Sequence, residues 1–281
     1  MNTLSYTYIA EHPCKELSQA FIDLSISFKE LDSEDYALFL NRFLEKYSQI
    51  SVYEYPIWEY LNPNLGFSIV QDFAWLLFDV LLKDQECIVF FDLYDSPSAL
   101  KIPNGAVLKE VLENCSTFNF YVSNSELSFY YAYNDDHGIL SAGGRAIESL
   151  KKQYLQPAYE NMLRTLDQKE LDWVVLEQQI LLFFDKIRNK SENPYLKANT
   201  EEAKIILKNS YDINEHNDFF QNPKMLISAL KNIAYFDFIL YYLHDWQQDI
   251  VNVVKKCENI DEIREIFRLF YENWFCHWSE K

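Results

Sequence analysis

The sequence predicts an α+β protein: an N-terminal α/β domain with a small, mostly antiparallel sheet, then an all-α helical bundle. Three observations carry this expectation. Between residues 118 and 144 the apolar pattern has a period of two, with explicit turn chemistry between the runs. The run Cys87-Ile88-Val89-Phe90-Phe91-Asp92 has the length and the aromatic and β-branched content of a buried central strand. From Gln156 onward no strand signal is found, and apolar residues recur at helical spacing. The expected domains are residues 1–153 and 154–281.

The elements follow in order. Pro13 suits the first turn of a helix over residues 14–29, with Leu17, Ala20, Phe21, Leu24 and Phe28 at helical spacing. Asp32 or Ser33 caps a second helix whose apolar face is Tyr36, Phe39, Leu40, Phe43 and Tyr47. Residues 51–64 mix Val52, Tyr53, Tyr55, Trp58 and Tyr60 with Glu54, Glu59, Pro56 and Pro63. They read as an edge strand followed by a loop, as an exposed recognition patch, since Tyr and Trp make good interface anchors, or, more readily, as a loop folded back on the core. Residues 68–83 predict a strongly apolar helix lying against the sheet, and residues 104–113 a short one.

The hairpin strands are residues 118–122 and 127–133, joined by Ser123-Asn124-Ser125-Glu126. A second turn, Asn134-Asp135-Asp136-His137-Gly138, leads to Gly143-Gly144, and the helical period resumes at Ala146. In the second half, Asp167 with Glu170 opens a helix running to about Arg188. Further helices are expected from Thr200 to about Asn209, over residues 224–256 with a kink or break, and from Asn259 or Asp261 onward.

Composition bounds the function. Of 281 residues, 49% are hydrophobic, enough for a sizeable core. Only 5 are Gly, which argues against Gly-rich phosphate loops. Net charge is −18, and the pI is near 4.6. Residues 1–150 hold 22 acids against 8 bases, net −14; residues 151–281 hold 21 against 17, net −4. A field of that sign repels nucleic acid and anionic lipid and attracts basic partners.

The cysteines, Cys14, Cys87, Cys115, Cys257 and Cys276, are odd in number and form no C-x-x-C, which suits reduced thiols in the cytoplasm. Residues 1–11 lack the basic and apolar regions of a signal peptide, and the apolar run 73–82 is broken by Asp79, short of a membrane span.

Several clusters bear on chemistry. The Asp135-Asp136-His137 step has the groups of a divalent-metal site, but Asn, Asp and Gly are also what a tight turn requires. Asp92 and Asp95 follow a central strand, where some folds hold a metal, yet no following strand supplies the lysine of a nuclease motif. Gly143-Gly144-Arg145 could cradle an anion at a helix start, though paired glycines there are more often steric. The aromatic stripe from Tyr235 to Trp246 reads as core packing before it reads as a ligand groove. Walker, G-x-G-x-x-G, G-x-S-x-G and H-E-x-x-H motifs are absent, so no cofactor is expected.

The segment Phe120-Tyr121-Val122-Ser123-Asn124-Ser125-Glu126-Leu127-Ser128-Phe129, with Tyr133-Asn134-Asp135-Asp136-His137-Gly138-Ile139-Leu140 and Ala142-Gly143, resembles a hairpin of small immunity proteins. These serve bacterial polymorphic-toxin and contact-dependent inhibition systems. The resemblance covers that hairpin and none of the helical half. It implies a cytoplasmic protein that binds and blocks a toxin domain, often a basic nuclease, without catalysis of its own.

Together these readings predict a non-enzymatic inhibitor that neutralises a basic protein, a toxin or a nucleic-acid-binding protein, with no direct nucleic-acid or membrane contact. The expected contact residues are Glu54, Trp58, Glu59, Tyr60, Asp92, Asp95, Asp135 and Asp136. The alternatives are an acidic nucleic-acid mimic that inhibits a DNA-binding defence complex, a scaffold subunit, and a metal-dependent hydrolase using Asp92, Asp95, Asp135, Asp136 and His137.

Overall fold

A computed structural model describes residues 13–50, 52–116, 118–188 and 219–276. The expected helix from Thr200 lies outside these residues. The protein is α+β, built on one seven-stranded sheet of order β1-β4-β3-β5-β6-β7-β2. The strands are β1 (Lys29–Leu31), β2 (Gly66–Val70), β3 (Cys87–Phe90), β4 (Ala99–Ile102), β5 (Phe120–Ser123), β6 (Phe129–Asn134) and β7 (Ile139–Gly144). Every pairing from β1 through β7 is antiparallel. The sheet is therefore larger than expected. Short connections join β3 to β4, β5 to β6 and β6 to β7, whereas β1 to β2, β2 to β3 and β4 to β5 cross over other strands through helical segments.

The chain divides into two compact units: Met1–Phe67 with Gln71–Ile147, and Ser68–Val70 with Glu148–Lys281. The expected boundary after residue 153 falls inside the helix that begins at Ala146.

In the first unit, helix α1 (Pro13–Asp23) stops six residues short of the expected end, because the chain turns at Ser25 with φ +58°. Helix α2 (Ser33–Tyr47) starts where Asp32 accepts hydrogen bonds from the N–H groups of Glu34 and Asp35. Its Tyr36, Phe39, Leu40, Phe43, Leu44 and Tyr47 form one buried face at helical spacing. That face packs on the sheet side carrying Ile88, Phe90, Tyr121, Tyr130 and Ala132. The other sheet side is covered too: Phe78 of helix α4 (Phe78–Leu81) meets Phe120 and Tyr131 edge-on. With both faces covered, β3, β5 and β6 are buried at every position, which explains their continuous apolar runs in an antiparallel sheet.

The single helix expected over residues 68–83 is not formed. Residues Gly66–Val70 pair into the sheet, and only a 3₁₀ turn (Ala74–Leu77) and the four-residue α4 are helical. Short apolar runs carry no period that separates strand from helix. Strands β1 and β4 add to the expected set; both are short and carry charged residues, so no apolar run marks them. A helical turn α3 (Ile57–Tyr60) and helix α5 (Leu108–Leu112) complete the first unit. Gly143 is steric, as its residue type suggested: a Cβ there would lie 1.8 Å from the Tyr130 ring. The neighbouring Arg145 lays its guanidinium over Phe129, 5.2 Å from the ring centroid.

The described elements after residue 145 are helices: α6 (Ala146–Leu166), α7 (Trp173–Arg188), α8 (Pro223–Leu230), α9 (Ile233–Val254) and α10 (Ile260–Cys276). Helix α7 starts later than expected, because Asp172 rather than Asp167 accepts from the N–H groups of Val174 and Val175. The long pattern over residues 224–256 divides into α8 and α9. Phe183 and Phe184 of α7 pack against Phe267 of α10. Tyr159 and Tyr271 stack with centroids 4.3 Å apart. The ammonium of Lys151, a buried residue, donates to the Phe275 carbonyl at 2.8 Å.

Candidate functional site

The site grows from the end of β3. Apolar residues carry this strand through the core, and Asp92 follows as the chain turns. The Asp92 carbonyl accepts from the N–H groups of Asp95 and Ser96, both at 2.9 Å, which reverses the chain toward β4. The Asp92 side chain points inward and is 2% exposed. Its Oδ1 accepts from the Ile57 N–H at 2.8 Å and the Tyr53 hydroxyl at 3.3 Å, and its Oδ2 from the Tyr121 hydroxyl at 2.9 Å. Tyr121 in turn accepts from the Trp58 N–H at 3.1 Å, and Tyr53 from the Leu93 N–H at 3.0 Å. One buried carboxylate thus anchors the backbone of residues 53–58 to the strand end. The Tyr36 hydroxyl, bonded to the Phe91 carbonyl, closes the network beneath.

Burial pushes the Asp92 carboxyl up to about 6, with a smaller push from Asp95; the Ile57 N–H, Tyr121 and Tyr53 act the other way. Asp92 was expected to touch a partner. The structure gives it a different place: its oxygens are occupied inside the protein, and it orders the residues that do reach solvent.

Those residues form a face. Val52, Tyr55 and Tyr94 are exposed, whereas Tyr53 and Trp58 are half-buried against the core of α2 and the sheet. Residues 52–61, which include the turn α3, thus both fold on the core and expose a patch. Tyr53 and Tyr94 have centroids 6.0 Å apart, and Tyr55 meets Tyr94 at 5.5 Å with an interplanar angle of 84°. Asp95 lifts the Tyr55 hydroxyl above its usual range more than any other group, with burial, Asp92 and Asp136 adding to it. A hydrogen bond to Glu54 does the same to Tyr60, with Glu59 contributing. His137 packs edge-on against Trp58 at 5.9 Å. Segments 52–60, 92–95 and 135–137 therefore meet, and all eight expected contact residues lie on them.

The two neighbouring acids of the turn have different partners. Asp136 acts on Tyr55, whereas Asp135 receives the Tyr133 hydroxyl at 3.2 Å and its own N–H donates to Asn119 at 2.8 Å. The His137 N–H donates to the Asn134 side chain, and Gly138 has φ +58°. This is turn chemistry, with the glycine taking the left-handed position. The hydrolase constellation is not assembled: among the described residues no three of His, Cys, Asp and Glu gather as a metal-holding group.

Beside Asp135 lies an open, largely apolar hollow of about 390 Å³, lined by Phe73, Trp75, Leu112, Phe118 and Phe120. Its Cys115 is no activated nucleophile, since burial pushes the thiol up to about 12.

Sequence reasoning missed Tyr121 and Tyr94. Tyr121 sits in a strand, with nothing local to mark its hydroxyl as bonded to an acid. Tyr94 carried a signal, an aromatic residue between Asp92 and Asp95 in a stretch that must turn.

No family model, curated protein or solved structure matches this chain.

Among the described residues no helix is long and apolar enough to cross a membrane.

Proposed function

We propose that this protein is a non-enzymatic, immunity-type inhibitor that captures and neutralises a basic protein, a toxin or nuclease, through the face built by residues 52–60, 93–95 and 135–137. The observation that supports the reading best is the convergence of these three segments. Acids distant in sequence surround exposed tyrosines that a buried anchor holds in place. Aromatic rings supply contact area at low entropic cost, and the acidic rim steers a basic partner and raises its association rate. Reduced thiols fit a cytoplasmic setting, and the second half is an all-α helical bundle.

The test is capture from host lysate at low salt, by the wild type and by a variant carrying Glu54→Lys, Glu59→Lys, Asp135→Lys and Asp136→Lys. A basic protein retained by the wild type, released by salt and lost to the variant is the expected result. Equal retention by both proteins would show that the binding face lies elsewhere.

A further inference from the structure

The tyrosines of this face have a geometry that goes beyond acidity. Tyr94 is 76% exposed and Tyr55 50%, so their rings meet solvent, although aromatic rings are ordinarily well buried. They cross at 84°, with Tyr53 beside them at 51° to Tyr94. Rings held nearly perpendicular present faces on two sides of a corner. The electron-rich face of an aromatic ring attracts a cation within about 6 Å of its centroid.

The charge surroundings have the matching sign. The charged groups that act on Tyr55 are Asp95, Asp92 and Asp136, and the strongest on Tyr53 is Asp92. One ring and the backbone that carries a second are also held in position. The Tyr53 hydroxyl is fixed between Asp92 and the Leu93 N–H, and the Leu93–Asp95 turn is closed onto the Asp92 carbonyl. Such a corner is organised before a ligand arrives, which spares the cost of ordering it on binding.

From this geometry we infer that Tyr53, Tyr55 and Tyr94, on a face whose charged neighbours are acids, form a receptor for one arginine side chain of the basic partner, which serves as its anchor. A guanidinium suits the site better than an ammonium. It is planar, so it stacks on a ring face, and it is more weakly hydrated than an ammonium, so it gives up its water more readily. Asp136, which also acts on Tyr55, adds to the charge of the rim. This inference rests on the acidic-face reading and names the group which that face recognises.

The test uses the full chain and fluorescein-labelled peptides of alternating glycine and arginine, with lysine and citrulline versions as controls, read by fluorescence anisotropy at low salt. The expected order is arginine, then lysine, then citrulline. Tyr94→Leu should weaken the arginine peptide about fivefold and Tyr94→Phe should leave it unchanged, because phenylalanine keeps the ring face. Asp95→Asn should narrow the margin between arginine and citrulline. Tyr94 is exposed, so both variants should fold, and circular dichroism with a melting curve checks this. If the arginine peptide binds in a salt-dependent way but Tyr94→Leu changes nothing, the ring receptor is refuted while the acidic face stands. If citrulline binds as well as arginine, the cation is not what is recognised and the receptor is likewise refuted. If no peptide binds at low salt, both the receptor and the acidic face fail.

Discussion

Asp92 and the pair Asp135-Asp136 each follow a β-strand, β3 and β6 respectively, yet the protein uses them in opposite ways. Asp92 is taken out of water and given three donors from residues far away in sequence. The other two acids sit on a tight turn whose shape comes from Asn134 and Gly138. The difference teaches that a carboxylate at a strand end has no fixed meaning. Its role depends on whether another segment closes over it. Here residues 53–58 cover Asp92 and leave Asp136 at the rim, so one acid builds the face and the other charges it.

The sharpest way to break this comparison is to remove the acids one at a time. Asp92→Ala leaves the Ile57 N–H and two tyrosine hydroxyls without their acceptor, and should cost about 3 kcal/mol of stability in urea unfolding. Asp136→Ala should change stability by less than about 0.5 kcal/mol in the same assay. Comparable losses at both positions would mean that the two acids do the same work.

A pH series tests the same contrast without removing the donors. The Asp92 carboxyl is raised by burial to about 6, so protonation favours the folded state. Its stabilising contribution is complete below the ordinary carboxylate range and is lost as pH rises through about 6. Between pH 7 and pH 4.5 the wild type should therefore gain about 2 kcal/mol relative to Asp92→Asn, since other carboxylates cancel in the difference. A flat difference would place Asp92 in an environment as wet as the turn.

A smaller effect separates the anchor from the packing around it. Tyr53→Phe keeps the ring but removes the hydroxyl that joins Asp92 to the Leu93 N–H, and should cost about 1 kcal/mol. Tyr94→Phe, at an exposed ring, should be neutral to stability within a few tenths of a kcal/mol. Chemical denaturation of the two variants side by side decides whether the Tyr53 hydroxyl is structural.

Much of the architecture was legible because it depends on local spacing. The buried face of α2 shows as Tyr36, Phe39, Leu40, Phe43 and Tyr47, and the hairpin of β5 and β6 as two runs around a polar turn. Strands β1 (Lys29-Glu30-Leu31) and β4 (Ala99-Leu100-Lys101-Ile102) were not legible, because short runs broken by charged residues show neither the continuous apolar content of β3 nor a turn-flanked pair like β5 and β6. Strand β2 merged with the apolar residues that follow it and read as one helix. In the candidate site, the residue types and the segment 52–60 were visible as acids interleaved with aromatics. The inward turn of Asp92 was not, nor was the contribution of Tyr121 and Tyr94.

Charge sign, the helical and β-rich regions and the acidic bias of the first half follow from the order of residue types alone, because each is set within a window of one element. The division of labour among the acids has another origin. The bonds that bury Asp92 span 35, 39 and 29 residues, and the one that ties Trp58 to Tyr121 spans 63. Burial is a property of what packs against a group, and these partners become neighbours only when α2 and the 52–60 segment close over the sheet.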